Sequence, residues 1–165
     1  MVFLGEQYYE GKLLKQDYEE AVYYTQMALD TNPKNMEALN NMALFLTLGY
    51  GIFPDIDLAL KYIDQSIANG NDKDGPVLKQ GIIDRNHSAK LKENAAYHEK
   101  RHADKKAFYF YNRAAAKGDL AACYKVALAY LNGTGIEQDR QKGIEYLKKA
   151  LPYAKAATKL KELGE

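Results

Sequence analysis

Residues 98–102 read His-Glu-Lys-Arg-His, the spacing of a zinc-binding motif in which a glutamate stands between two histidines. On a helix, histidines four residues apart share one face and can hold zinc, while the glutamate activates water. The lysine and arginine between them would add positive charge beside the metal. The one other histidine, His87, precedes the motif, and no third ligand is evident. A zinc-dependent hydrolase using His98, Glu99 and His102 is therefore the alternative hypothesis. We predict no enzyme, no cofactor and no metal, with His98 and His102 as weak metal-ligand candidates.

The composition limits the remaining classes of function. The chain has 165 residues, 23 Lys and Arg against 22 Asp and Glu, and a net charge of +1. A nucleic-acid-binding domain would show a strongly basic balance, so we expect no nucleic acid as partner. Cys123 is the one cysteine, which excludes an intrachain disulfide and fits a reducing compartment. We interpret it as a packed core thiol rather than a nucleophile.

The same sequence lacks signals for a membrane or for export. No stretch approaches the roughly 18 apolar residues of a membrane span. The first residues, MVFLGEQYYEGK, have no basic region and no small-residue cleavage site of a signal peptide. We therefore expect no membrane as partner and a cytoplasmic location, with a trimmed part of a longer exported protein as the alternative.

An internal repeat is the strongest signal of architecture. Residues 49–70, GYGIFPDIDLALKYIDQSIANG, recur as residues 133–154, GTGIEQDRQKGIEYLKKALPYA. Repetition at this scale is typical of stacked helical repeats, which form extended binding surfaces more often than active sites. Apolar residues also recur at spacings of three and four nearly throughout the chain, which predicts helices. The predicted helices are 3–15, 18–31, 35–48, 56–69, 75–86, 104–117, 119–132, 140–151 and 155–163.

Small residues recur on one face of the second helix of each predicted pair. Two equivalent positions, seven residues apart, would let neighbouring helices approach closely. An aromatic residue recurs between them, and we interpret it as core packing rather than as a ligand-stacking stripe. The three sets are Ala21, Ala59, Ala107 and Gly143; Ala28, Ser66, Ala114 and Ala150; and Tyr24, Tyr62, Phe110 and Tyr146.

These motifs resemble known repeat families. ALNNMALFLTLGYGIFPDIDLALKYIDQSIANGN, within residues 35–71, and AACYKVALAYLNGTGIEQDRQKGIEYLKKALPYAK, within 119–155, resemble Sel1-like repeats. The first pair, DYEEAVYYTQMALDTNPKNMEAL, resembles a tetratricopeptide (TPR) repeat, with matches at Tyr18, Ala21, Ala28 and Pro33. The resemblance implies an all-α fold, an α-α superhelix: a right-handed solenoid of about four antiparallel helix pairs with a short C-terminal capping helix.

We predict a single domain, residues 1–165, made of successive repeats. The third repeat is longer than the others, with a twelve-residue insertion near 86–102 that we expect to form longer helices or a protruding helical arm. Residues 85–106 carry a local charge of +4, which indicates a solvated helix surface or a basic docking patch. The predicted repeats are 3–34, 35–71, 72–118 and 119–154, followed by a cap at 155–165.

The resemblance also implies which residues face a partner, because the first helix of each pair lines the concave face in these families. A mixture of acid, amide, hydroxyl and apolar groups suits an extended peptide or a partner helix. Glu6 and Glu10 would repel the C-terminal carboxylate that chaperone-binding TPR domains clamp, so a basic or neutral peptide fits better. The predicted partner-binding residues are Glu6, Glu10, Asn40, Leu44, Thr47, Gln80, Asp84, Tyr124 and Leu128.

The prediction of function is thus a non-catalytic adaptor or scaffold that binds a protein or peptide partner on this face. The chain is expected to be a monomer or a weak homodimer. A purely structural spacer is the remaining alternative, and it predicts that substitutions on the concave face have no effect.

Overall fold

The computed structural model describes all 165 residues, Met1–Glu165, and every regular element in it is an α-helix. This confirms the prediction of an all-α protein. No helix combines the length and the apolar character needed to cross a lipid bilayer. The ten helices are α1 Val2–Glu10, α2 Tyr18–Thr31, α3 Met36–Leu48, α4 Ile56–Ala68, α5 Asp74–Arg85, α6 Ser88–Glu99, α7 Asp104–Ala116, α8 Leu120–Asn132, α9 Arg140–Lys149 and α10 Ala154–Glu162.

The chain divides into two compact units, Met1–Arg85 and Asn86–Glu165. In the first unit α1 pairs with α2, α3 pairs with α4, and α5 packs on α4. In the second unit α6 pairs with α7, α8 pairs with α9, and α10 packs on α9. Each unit therefore consists of two helix pairs followed by one further helix. That residues 1–165 form a single domain stays a prediction.

Caps and glycines set the ends of the corresponding helices α3 and α8. The side chains of Asn35 and Asp119 each accept a hydrogen bond of 2.9 Å from the backbone N–H three residues later. Both helices end at a glycine with φ of 71°, Gly49 and Gly133, in the left-handed conformation that glycine adopts most readily. The predicted boundaries of these two helices are accordingly close to the observed ones.

A second glycine in each loop makes the two units directly comparable. Gly51 and Gly135 have φ of 66° and 73°. A Cβ atom on Gly51 would collide with the backbone carbonyl of Tyr18, and one on Gly135 would collide with that of Asp104. The same close approach of loop and helix thus occurs in both units, and it makes Tyr18 and Asp104 equivalent positions.

The insertion near residues 86–102 does not protrude, so the expectation of a helical arm is wrong. It contains the whole of α6, which buries Leu91, Ala95 and His98 and packs against α7. These three side chains, at spacings of four and three, give α6 a face that can pair with another helix. The partner of α7 is therefore α6, whereas the predicted helix 75–86, observed as α5, packs on α4.

The predicted small-residue positions are buried, as expected for close helix packing. Of the aromatic residues between them, Phe110 is fully buried, and Tyr146 is half-buried with its hydroxyl donating to Oδ1 of Asn112 over 3.0 Å. This pattern supports core packing for the aromatic series. The buried small residues are Ala21, Ala59, Ala107, Gly143, Ala28, Ser66, Ala114 and Ala150.

Candidate partner-binding site

The His-Glu-Lys-Arg-His segment does not form the helical zinc motif. Helix α6 ends at Glu99, and the following turn is closed by a hydrogen bond of 3.1 Å from the N–H of His102 to the carbonyl of Glu99. His102 is exposed and has φ of 55°, which lies outside the helical region. His98 is buried, 3% exposed. The two histidines therefore do not lie on successive turns of one helix, and the helical geometry that made them weak zinc-ligand candidates is absent.

His98 instead packs as an aromatic residue of the core. Its ring stacks on Phe110 with centroids 5.5 Å apart and an interplanar angle of 7°. The first unit contains the same stack between Tyr8 and Tyr24, at 5.6 Å and 4°. The carbonyls of His98 and Tyr8 also accept equivalent backbone hydrogen bonds of 3.0 Å from the residue just before α7 or α2. His98 thus occupies the place that Tyr8 occupies in the first unit.

Glu99 joins a polar network that links α6, α7 and α8. Its Oε1 accepts a hydrogen bond of 2.8 Å from Nζ of Lys125, and its Oε2 accepts one of 3.0 Å from the hydroxyl of Tyr111. Partial burial raises the pKa of the Glu99 carboxyl, but these hydrogen bonds outweigh burial and hold the pKa below its usual value. Burial, followed by the bond to Glu99, raises the pKa of Tyr111. At neutral pH the network therefore holds an ionised carboxylate and a neutral phenol.

This network lies at the wall of a cavity of about 170 Å³ in the second unit. Phe108, Leu128 and the methyl groups of two alanines give the cavity apolar walls. Asp104 stands half-buried at its wall and forms no ion pair. The lining residues are Glu99, Asp104, Ala107, Phe108, Tyr111, Lys125, Leu128, Ala129, Asn132 and Thr134.

A second cavity, of about 320 Å³, lies between α8 and α10 and shares Leu128 with the first. Tyr124 is part of its wall, and the Tyr124 ring also contacts Tyr153 with centroids 5.5 Å apart. Lys155 and Lys159 of α10 add basic groups to this cavity. The two predicted partner-binding residues of the second unit, Tyr124 and Leu128, therefore line two adjoining cavities along α8.

In the first unit, the predicted residues of α3 differ in their surroundings. Asn40 is half-buried, and its Oδ1 accepts a hydrogen bond of 3.2 Å from Nδ2 of Asn71. Leu44 is half-buried. Thr47 is fully buried, and its hydroxyl donates to the carbonyl of Ala43 over 2.7 Å. Thr47 as a partner-contacting residue is therefore wrong, because the last turn of α3 is covered on every side.

The predicted acidic residues of α1 lie at the surface. Glu6 is half-buried, and burial together with the neighbouring Glu37 of α3 raises the pKa of its carboxyl, while Asn41 opposes that rise. Glu10 forms an ion pair of 3.0 Å with Lys12. The first helices α1 and α3 thus bring carboxylates together within the first unit.

The predicted residues of α5 pair with each other. Gln80 and Asp84 are exposed, and Nε2 of Gln80 donates to Oδ1 of Asp84 over 2.9 Å. Such a pair, one helical turn apart, is a common surface interaction. Whether it meets a partner stays a prediction.

Sequence reasoning missed most of the first cavity. Leu128 is the one predicted partner-binding residue in it, and Glu99 was named only in the zinc alternative, whereas Asp104, Phe108 and Lys125 were not singled out. Extending the 84-residue register of the internal repeat would have shown one further lining residue, Ala129, which stands where Phe45 stands in the first unit. The carbonyls of Phe45 and Ala129 accept the equivalent capping hydrogen bonds from Gly49 and Gly133.

The chain was compared with protein-family models and with proteins of known structure. The family model of the Sel1 repeat matches residues 1–30, 37–71, 101–119 and 120–151. A solved Sel1 repeat protein from Oxalobacter formigenes is similar over 98% of this chain, with 19% identity and a TM-score of 0.44. A protective antigen of uropathogenic Escherichia coli strains, with an SLR fold, is similar over 92%, with 18% identity and a TM-score of 0.41. The chain covers 43% and 37% of these two proteins, less than half of each. The comparison with curated proteins gives no match.

Proposed function

Because the chain belongs to the Sel1 repeat family, in which protein binding is the typical role, we propose that it is a non-catalytic adaptor that binds a protein or peptide partner. The observation that carries this proposal is the surface of α8 in the second unit. There Tyr124 and Leu128 line two adjoining cavities. The walls combine apolar side chains with lysines and carboxylates, the mixture that suits an extended peptide.

Packing accounts for the residues that suggested catalysis. His98 belongs to a core stack, and Glu99 is held by Lys125 and Tyr111. Cys123 is buried, and its thiol lies 3.8 Å from the carbonyl of Ala115. Burial, followed by the negative charge of Asp119, raises the pKa of this thiol, which disfavours the nucleophilic thiolate.

The test is partner capture followed by measurement with purified components. The wild-type protein and the variant Leu128→Arg are used to capture partners from the native lysate, and the dissociation constant of a captured protein is then measured by calorimetry. We expect Leu128→Arg to weaken binding at least about tenfold, because it places a bulky charge between the two cavities.

Leu58→Arg is the matched control, since Leu58 is an exposed leucine of α4, the second helix of its pair. It should bind like the wild type. Equal affinity of all three proteins for the purified partner would exclude the α8 surface. Absence of any partner that binds directly would favour the structural spacer.

A further inference from the structure

The cavity beside Glu99 lies at a place that the first unit fills with its own aromatic side chains. Tyr18 is equivalent to Asp104 through the glycine contact, and Phe45 is equivalent to Ala129 through the helix cap. The carbonyls of Phe45 and Ala129 also accept a second hydrogen bond, from the N–H of Tyr50 and of Thr134 respectively. Tyr50 and Thr134 are thus a third equivalent pair.

A fourth pair follows from the stack described for His98. Since His98 takes the place of Tyr8, the next residue, Glu99, takes the place of Tyr9. In the first unit Tyr9 contacts Phe45 at 5.5 Å and Tyr18 at 6.0 Å between ring centroids. Tyr18 in turn stacks on Tyr50 at 4.6 Å. Four rings of the first unit therefore correspond to two carboxylates, one methyl group and one threonine in the second.

The second unit compensates for only part of this lost volume. Tyr111 stands where the first unit has Thr25, and Phe108 stands where it has Val22, so these two replacements bring two rings to the cavity wall. Its hydroxyl and the ammonium of Lys125 already occupy both oxygens of Glu99. Asp104 is left as a half-buried carboxylate without an ion pair. The cavity that remains has apolar walls and one carboxylate, that of Asp104, that lacks a basic side-chain partner.

We propose that this cavity accepts an arginine side chain of the partner, with the guanidinium paired to Asp104 and the aliphatic stem against Phe108, Leu128 and Ala129. This inference rests on the proposed partner-binding function. A cavity of about 170 Å³ is smaller than the roughly 300–1,000 Å³ of small-molecule sites, which fits one side chain. Arginine combines a flat group that stacks on aromatic rings with a permanent positive charge.

Lysine and tyrosine satisfy only part of this description. A lysine ammonium is a compact, strongly hydrated charge that does not stack like a plane. A tyrosine ring would match the rings of the first unit, but it would leave the carboxylate of Asp104 without a basic partner. The partner segment should therefore contain one arginine whose replacement by lysine is not tolerated.

The experiment is selection of peptides from a random displayed library on the wild-type protein, followed by affinity measurement with the selected peptide. We expect one invariant arginine in the selected peptides. Its replacement by lysine should weaken binding about tenfold. Ala129→Phe should weaken binding at least about tenfold, because it places in the second unit the ring that Phe45 provides in the first. Asp104→Asn should weaken binding several-fold while leaving the cavity volume unchanged.

Ala116→Phe, an exposed alanine at the end of α7 and outside the cavity lining, is the control for Ala129→Phe and should bind like the wild type. Selected peptides with an invariant lysine or tyrosine instead of arginine would overturn the inference. So would peptides that bind Ala129→Phe normally but lose affinity for Leu128→Arg, although that outcome would keep the proposed function. A library that yields no binding peptide, together with no captured partner, would overturn both.

Discussion

The imidazole of His98 belongs to the core rather than to a metal site. It stacks on Phe110 as Tyr8 stacks on Tyr24 in the first unit, and the helix that would align it with His102 ends at Glu99. A histidine that packs as an aromatic ring should be replaceable by another ring and not by a small side chain. The same argument assigns no stabilising role to the exposed His102.

The His98→Ala variant should therefore lose about 2 kcal/mol or more of the free energy of unfolding, as large-to-small core substitutions do. His98→Phe should stay within about 1.5 kcal/mol of the wild type, because it keeps a ring of similar volume. His102→Ala is the control and should change stability by less than about 0.5 kcal/mol. Urea unfolding measures all three. A zinc-dependent rise in melting temperature that His102→Ala abolishes would instead restore the zinc hypothesis.

The individual residues of the cavity could not be read from the sequence alone. The offset between equivalent residues is 84 for Phe45 and Ala129, 86 for Tyr18 and Asp104, and 90 for Tyr8 and His98. The helix connections differ in length, so one constant register aligns only the later part of each unit. Helical spacing places Thr47 on the same face as Asn40, but the last turn of α3 is buried, so Thr47 does not reach the surface.

At the scale of elements, helices with a marked beginning and end were the predictable ones. Asp55 and Asp139 cap α4 and α9 with side-chain hydrogen bonds of 2.9 and 3.0 Å, as their place before an apolar run indicates. Helix α6 has no side-chain cap, and one of its three buried residues is a histidine. The extra length of the third repeat indicated an insertion there, and with few clear signals of a helix the segment was not predicted as a helix that pairs with α7.

The loop after α8 holds its position through Gly135. The variant Gly135→Ala should lose about 3 kcal/mol of the free energy of unfolding, because φ of 73° strains an alanine and its Cβ would meet the Asp104 carbonyl. Gly118→Ala provides the control, since φ there is 84° but nothing lies within 4 Å of a Cβ. It should lose only about 1 kcal/mol. Equal losses in urea unfolding would show that the close approach contributes nothing.

At the scale of the whole molecule, the chain is two versions of one unit, each with two helix pairs and a further helix. The internal repeat of 22 residues was visible in the sequence, because the loop glycines and N-caps keep one register there. The repetition of the whole unit could not be seen in the sequence, because it becomes clear only when α6 is recognised as the counterpart of α1.

Each unit contains its own buried residues, so each should fold alone. Residues 1–85 and 86–165, expressed separately, are expected to be helical and to unfold cooperatively, as independent domains do. Circular dichroism during heating measures this. The full-length chain under the same conditions is the control. Helical signal in the full chain but in neither fragment would support the single domain that the sequence predicted.

The four rings that fill this place in the first unit, those of Tyr9, Tyr18, Phe45 and Tyr50, also affect thermal stability. Phe45 is fully buried and the other three rings are half-buried. Aromatic side chains remove large apolar surfaces from water, and the second unit gives up part of that surface at this site. Functional sites of proteins are commonly less stable than they could be, because function there limits the choice of side chains. We therefore expect the second unit to unfold at a lower temperature than the first. Heating would then abolish partner binding while the first unit is still folded, so the less stable unit sets the highest temperature at which the protein can bind.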